Sequence, residues 1–146
     1  MLAPNIIRPI AQWRDPRHRR GLAGELEAAR FFQAAGWDIL AHRFRVGHHD
    51  LDLVIRQAEL IAFVEVKARA STAFGAAAEA VSWRKRAVLR LVAACWVARH
   101  GQPTDRYRFD LAVVEWLGRG RGVGRGHGGA FPHVTHIADA WRDVDR

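Results

Sequence analysis

Two pairs of charged residues interrupt otherwise apolar stretches of this sequence. Asp50 and Asp52 flank one leucine, and Glu65 and Lys67 flank Val66. Alternate side chains of a β-strand point to one face, so a strand here would hold Glu65 and Lys67 side by side, about 6–7 Å apart. A charge buried without a partner costs several kcal/mol. The pattern therefore indicates a site in which these charges meet partners.

The chemistry that suits these residue types is metal-dependent hydrolysis. If Asp52 lies on a hairpin strand next to Glu65, two carboxylates converge and form a hard oxygen site for Mg²⁺ (or Mn²⁺), which also takes up water and a substrate phosphate. Lys67 beside them would orient an attacking water or help to deprotonate it. The alternative is a solvated Glu65–Lys67 ion pair on an edge strand, with Asp52 in a turn.

The elements that must position these residues follow from hydrophobic periodicity. It predicts a helix from Gly21 to Gly36 and a long helix that starts between Ala76 and Trp83 and ends near His100. Strands are predicted over 37–45, 50–56, 60–67 and 107–116, and a short strand or helical turn over 134–141. The fold class is α/β, a mixed sheet flanked by helices in the order αβββαβ. Gln57-Ala58-Glu59 is short enough for a hairpin, although it lacks Gly or Asn.

These motifs in this order carry a family resemblance. The spacing D-x(12)-E-x-K, from Asp52 to Lys67, resembles that of the PD-(D/E)xK restriction-endonuclease-like superfamily. More closely, the chain is similar to the YraN-like family of bacterial proteins. The shared segments are Gly21-x-x-Gly24-Glu25, Asp50-Leu51-Asp52-Leu53, Phe63-Val64-Glu65-Val66-Lys67-x-Arg69, Phe74-Gly75, Ala78-Glu79-Ala80-Val81, Lys85 and Arg108-Phe109-Asp110.

The resemblance implies a restriction-endonuclease-like core and Mg²⁺-dependent hydrolysis of phosphodiester bonds in DNA, branched or single-stranded. It also implies that Asp52 and Glu65 ligate the metal and that Lys67 is catalytic. The family typically reads Gly-Glu-Ile-Asp-Leu where this chain has His49-Asp50-Leu51-Asp52-Leu53. Asp50 therefore provides an acidic group where the family has Glu, but on a shorter side chain. A supporting role is expected for it.

Glu25 is a further candidate ligand and catalytic residue. On the first helix it lies between Ala29 and Phe32, within or beside the apolar stripe. It would then face the sheet and join Asp52 and Glu65, as a helix carboxylate does in archaeal Holliday-junction resolvases, which share this fold. The alternative is an acid in the first turn that the helix dipole favours.

A basic cluster at the start of the second helix is the candidate DNA-binding surface. Arg84, Lys85 and Arg86 would bind phosphate together with the amides of the helix N-terminus. A solvated helix face explains the cluster equally well, except that the family resemblance favours Lys85. Glu79 would support the ligands or cap the helix, and Asp110 is expected to be a structural partner of a basic residue.

The charge distribution favours an anionic partner, and the domain organisation is simple. The formal net charge is +8. Residues 1–20 form a basic arm with five Arg against Asp15, and the loop 117–130 carries seven Gly and three Arg. One endonuclease-like domain is expected over 21–146.

The composition bears on the cellular compartment of the protein. Cys95 is the single cysteine, so there is no disulfide framework, and no apolar run is long enough for a membrane span. Together with the absence of a secretory signal, these features predict a cytoplasmic protein. A non-catalytic nucleic-acid-binding module of the same fold is the alternative function, an adaptor protein is a third, and a homodimer is left open.

Overall fold

The computed structural model describes residues 19–69, 81–117 and 131–142, and in this part of the chain two helices flank one five-stranded sheet. The strands follow one another across the sheet in chain order, and every neighbouring pair is antiparallel except β3 and β4, which are parallel. The elements are α1 (Arg19–Ala34), β1 (Asp38–Val46), β2 (His49–Gln57), β3 (Leu60–Arg69), α2 (Trp83–His100), β4 (Arg106–Leu117) and β5 (Phe131–Trp141). The mixed α/β class is confirmed.

Each face of the sheet carries its own core, and alternation along β3 decides which residue enters which. Ala62 and Val64 belong to the α1-side core, whereas Ile61 and Phe63 belong to the α2-side core. The α1-side core consists of Ala28, Ala29, Phe32, Trp37, Leu53, Ile55, Ala62, Val64, Ala112 and Val114. The α2-side core consists of Ala41, Leu51, Val54, Ile61, Phe63, Val81, Leu89, Val92, Ala93, Trp96, Leu111, Val113 and Trp141. By this alternation Glu65 and Lys67 face α2.

Helix α1 is stopped by its own sequence. Gly36 has φ +87°, a left-handed conformation that glycine adopts without steric cost. The N–H of Trp37 then donates to the carbonyl of Phe32 at 2.9 Å, which closes the helix end. The chain can therefore turn at once into β1.

Two tight turns set the register of the first three strands. Gly47, with φ +62°, begins the turn between β1 and β2, where Val46 pairs with His49. The predicted hairpin between β2 and β3 is present, with Gln57 paired to Leu60. Here Ala58 itself takes φ +53°, so the turn forms without the expected Gly or Asn.

Helix α2 carries the chain across to the parallel strand β4. The Ser82 hydroxyl caps its N-terminus by accepting from the Lys85 N–H at 3.2 Å. After Gly101, Asp105 binds the Arg56 guanidinium through both carboxylate oxygens, at 2.9 and 3.1 Å. This ion pair fixes the start of β4 to β2.

Several predicted boundaries differ from the observed ones. Arg19 and Arg20, predicted in the basic arm, are helical, and Leu117, predicted in the Gly/Arg loop, pairs with Phe131. The segment 134–141 is strand, because it pairs with β4 along its length. Residues 1–18, the loop 118–130 and Glu79 lie outside the described residues. Neither described helix has the length and apolarity needed to cross a bilayer.

Candidate metal centre

The candidate centre forms where β2 and β3 separate. Their pairing runs from Gln57–Leu60 to Leu53–Val64 and stops there. One residue further, the Asp52 carboxylate replaces the missing strand partner by accepting the Val66 N–H at 2.8 Å. Leu51 packs in the α2-side core and Leu53 in the α1-side core, although two residues apart on a regular strand share a face. The backbone of β2 is therefore distorted at Asp52.

Two carboxylates crowd together at this gap. The pKa of Asp52 lies well above its usual value of 3.8, first because the group is buried and second because the charge of Glu65 is close. The charge of Glu25 and the hydrogen bond that a protonated Asp52 would donate to Glu65 raise the pKa further, against the opposing effect of the Val66 N–H. Asp52 is therefore ionised at a cost in free energy unless a cation balances it.

Glu65 is the most buried acid of this group, with 4% of its surface exposed. Its Oε1 lies 3.4 Å from the Lys67 ammonium and 3.6 Å from the Lys85 ammonium. Its Oε2 is buried and accepts no hydrogen bond in the described structure. One oxygen is thus neutralised by two cations, while the other has no hydrogen-bond partner in the described structure.

The two ammonium groups account for every lysine in the chain. The sequence has 23 basic residues counting Lys and Arg, and only Lys67 and Lys85 are lysines. Arginine and lysine are not equivalent, because ammonium is a compact, strongly hydrated point charge with rotatable donors, whereas guanidinium is a planar fork. Both positions where this Arg-rich chain uses Lys contact the same carboxylate oxygen.

Glu25 reaches the same region from the opposite face of the sheet. It is 6% exposed, and its Oε2 accepts from His42 Nε2 at 2.7 Å and from Arg43 Nε at 2.9 Å. Neighbouring strand residues normally point to opposite faces. Arg43 has φ +52°, and this left-handed residue brings both side chains to one carboxylate. The sequence analysis missed His42 and Arg43, because nothing in an alternating pattern signals a left-handed residue.

Close packing of α1 on β3 holds Glu25 in place. A Cβ added at Gly24 would lie 2.7 Å from the Ala68 Cβ, well inside ordinary contact. Glycine at position 24 therefore lets the helix backbone approach β3 more closely than any other residue allows. This close packing also places the adjacent Glu25 against the sheet.

The predicted phosphate-binding residues have different surroundings. Lys85 contacts Glu65, as described above. The Arg84 guanidinium lies over the ring of Trp83, 5.5 Å from its centroid. Arg86 donates to the carbonyl of Val81 at 2.9 Å and lies over the ring of Trp141.

Two of the predicted supporting acids, Asp50 and Asp110, lie apart from the gap between β2 and β3. Asp50 is 3.7 Å from Arg45 on an exposed part of the first hairpin. Asp110 is fully buried and accepts hydrogen bonds from Arg108, from His136 and from the backbone N–H of Asp139. Burial alone would raise the pKa of Asp110, but these hydrogen bonds outweigh it and the pKa is lowered. Asp110 is thus a structural anion that ties β5 to β4.

The side chains at this centre limit which metal ions could bind. Among residues 19–69, 81–117 and 131–142 no group of three or more His, Cys, Asp or Glu side chains is arranged to hold a metal ion. Asp52 and Glu65 nevertheless fit Mg²⁺, which is commonly held by one or two carboxylates and completes its octahedron with waters and substrate phosphate. The unpartnered Glu65 Oε2 supplies the oxygen that such an ion requires.

Comparison with known proteins places the chain in a family. The model of the family described as "Uncharacterised protein family UPF0102" matches residues 24–114, which include Glu25, Asp52, Glu65, Lys67 and Lys85. The chain belongs to UPF0102. The expected resemblance to YraN-like proteins is thereby confirmed, and the superfamily assignment stays a prediction.

Individual UPF0102 proteins align with most of the chain. A UPF0102 protein of Bordetella avium is 36% identical over 137 residues, which are 94% of this chain and 88% of that protein. One from Nocardia farcinica is 44% identical over 94 residues, covering 64% of this chain and 74% of the relative. One from Moorella thermoacetica is 40% identical over 103 residues, 70% of this chain and 85% of the relative.

Proposed function

We propose that this protein is a nuclease that uses Mg²⁺ or Mn²⁺ to hydrolyse phosphodiester bonds in DNA, on a restriction-endonuclease-like fold. The observation that carries the proposal is the buried, unpartnered Glu65 Oε2 beside Asp52, whose pKa is raised by its own burial and by the Glu65 charge. Two acids held together at such a cost are stabilised by a shared cation.

Each residue of the centre has a role in this proposal. Asp52 and Glu65 would hold the cation, which would supply Lewis-acid charge at the substrate phosphate. Lys67 orients the attacking water, and Lys85 and Arg84 hold the substrate backbone. Glu25 is held by His42 and Arg43, and its charge strengthens the attraction of Asp52 for a cation.

Metal binding is tested by calorimetric titration with Mn²⁺. The wild-type protein should bind Mn²⁺ with a heat that Asp52→Asn removes, because the amide keeps an oxygen for the Val66 N–H but loses the charge. Asp50→Asn is the matched control and should titrate like the wild type, because Asp50 lies on the exposed hairpin. Equal heats in wild type and Asp52→Asn would contradict the proposed ligand.

Catalysis is tested by cleavage of plasmid and branched DNA in Mg²⁺ or Mn²⁺. Lys67→Met and Lys67→Arg should both lower the rate of DNA cleavage by about a hundredfold or more. Methionine has no charge and no proton to exchange, and the planar guanidinium of arginine neither matches the compact lysine head group nor gives up a proton readily. Lys67→Arg should still bind DNA in EDTA, since it keeps its positive charge. Cleavage that persists unchanged in Lys67→Met would mean a contaminant or a different site.

A second candidate is a nucleic-acid-binding module that keeps the fold without turnover. It is favoured by one observation, that the Lys67 and Lys85 ammonium groups already neutralise Glu65. This candidate predicts salt-sensitive binding, no metal-dependent cleavage and no effect of Glu65→Gln on DNA affinity in Mg²⁺. The nuclease instead predicts that Glu65→Gln abolishes the Mn²⁺ heat.

A further inference from the structure

An exposed aromatic ring stands at the start of α2. Trp83, the first residue of this helix, is 69% exposed, whereas Trp37, Trp96 and Trp141 are at most 9% exposed and fill the two cores. A large ring left in water contributes nothing to the core, and tryptophan is enriched where proteins bind their partners. The ring of Trp83 is therefore available to a partner.

The ring is held in a defined orientation by a cation. The Arg84 guanidinium lies 5.5 Å from the ring centroid and covers one face. The exposure of the residue leaves the remaining ring surface to solvent. A planar aromatic with one open face and a cation beside it is the arrangement on which nucleobases stack in proteins that bind single strands.

The position of Trp83 relates this ring to the candidate metal centre. Two residues further along α2, the Lys85 ammonium is 3.6 Å from Glu65 Oε1. Residues two apart on a helix are about 5 Å apart at Cα and point to different sides of it. A strand whose phosphate lies at the Lys85 ammonium would reach Trp83 by passing around the first turn of α2.

We infer that Trp83 is a stacking platform for an unpaired nucleobase next to the phosphate held at the metal centre, so the substrate is a nucleic-acid strand unpaired at that point. This inference rests on the proposed function and narrows its substrate class. A base inside an intact duplex is stacked on both faces and cannot cover the ring. Single-stranded segments, flaps and branch points offer such a base.

Fluorescence anisotropy in EDTA tests the inference without cleavage. The probes are a fluorescein-labelled single-stranded oligodeoxynucleotide and the same strand annealed into a blunt duplex. Trp83→Ala should weaken single-strand binding about tenfold, whereas Trp83→Phe should retain most of it, because one stacked base contributes on this scale. Duplex binding should not change, and neither should the salt dependence for the single strand, since no charge is removed.

A matched control lies on the same helix. Leu91 is 71% exposed, and Leu91→Ala removes a comparable apolar side chain two turns away from Trp83. It should leave both affinities unchanged. If Leu91→Ala weakens single-strand binding as much as Trp83→Ala does, the ring is not specific and the inference is overturned.

The remaining outcomes separate the inference from the proposed function. If neither probe binds at low salt in EDTA, the inference is overturned, and metal-dependent cleavage still tests the proposed function. If the single strand binds and Trp83→Ala binds it as well as the wild type, only the inference is overturned, and metal-dependent cleavage still tests the function. If Trp83→Ala changes the sedimentation coefficient but not the affinity, the ring contacts a second copy of the chain and the stacking role is wrong.

Discussion

At the scale of single residues, Asp52 combines two requirements that conflict. Its carboxylate must stay next to Val66, because it accepts that backbone N–H at 2.8 Å. The same position is buried and faces the charge of Glu65, so ionisation is unfavourable. Functional sites often keep such unfavourable groups because their ligand relieves the conflict. Without a cation, Asp52 lowers the stability of the fold at neutral pH.

The first prediction concerns the charge of Asp52. Its pKa is higher in the folded protein than the usual 3.8, so the folded state binds this proton more tightly than the unfolded chain does. The free energy of unfolding therefore falls as the pH rises from 3.8 through the folded pKa. Asp52→Asn removes this loss, and thermal unfolding in EDTA at pH 7 should show a Tm a few degrees higher than that of the wild type.

The pH dependence provides the control for this prediction. In acid, below both pKa values, wild type and Asp52→Asn should have the same Tm, because the wild-type carboxyl is then neutral. Asp50→Asn should match the wild type at every pH from neutral to acid, because Asp50 makes only a loose contact with Arg45 at 3.7 Å. A lower Tm for Asp52→Asn at pH 7 would show that the charge stabilises the fold.

At the scale of elements, the contact of α1 with β3 decides where Glu25 lies. The second prediction is that Gly24→Ala destabilises the protein by about 1–3 kcal/mol, because the new Cβ would meet the Ala68 Cβ at 2.7 Å. In the same helix, Gly21 has nothing within 4 Å of an added Cβ. Gly21→Ala should therefore stabilise by up to about 1 kcal/mol, the ordinary helix effect.

Urea unfolding of the two glycine variants measures the difference directly. The same change from Gly to Ala should lower the free energy of unfolding at position 24 and raise it at position 21, one helical turn away. If both variants are more stable than the wild type, α1 does not approach β3 as closely as Gly24 requires. Gly24→Ala should also weaken Mn²⁺ binding, because Glu25 moves away from Asp52.

Elements with regular periodicity could be predicted from the sequence, and irregular backbone could not. The alternation of β3 assigned Glu65 and Lys67 to the face shared by Ile61 and Phe63, and the structure confirms this face. The pairing of Glu25 with His42 and Arg43 was missed, because it depends on one left-handed residue inside β1. A residue's φ is set by tertiary contacts there, and Arg is not a residue type that favours positive values.

At the scale of the whole molecule, most of the net charge comes from two segments of the sequence, residues 1–20 and 117–130. Of the formal +8, residues 1–20 contribute five Arg against Asp15, and residues 117–130 contribute Arg119, Arg121 and Arg125 without an acid. Basic segments increase affinity for nucleic acid without reading its sequence, because they release counterions from phosphate. We therefore expect these segments to set overall affinity, and the centre at Asp52 and Glu65 to set the chemistry.

The third prediction separates these contributions. Each phosphate contact with a single strand contributes roughly 0.7 to the slope of log K against log salt. Replacing the three residues Arg119, Arg121 and Arg125 by Gln should therefore reduce this slope by up to about 2. Cleavage at saturating DNA should stay at the wild-type rate. Anisotropy titrations at several salt concentrations measure the slope, and an unchanged slope would exclude these arginines from the DNA contact.

The double role of Asp52, as a backbone acceptor and as a proposed cation ligand, has a consequence for sequence variation at this position. An Ala here would leave the Val66 N–H without its acceptor, so the fold alone selects for Asp or Asn. Asn accepts the same N–H without the cost of a desolvated charge, so the fold by itself favours the amide over the acid. An acid retained at 52 among relatives would therefore indicate a bound cation, which the fold alone does not require.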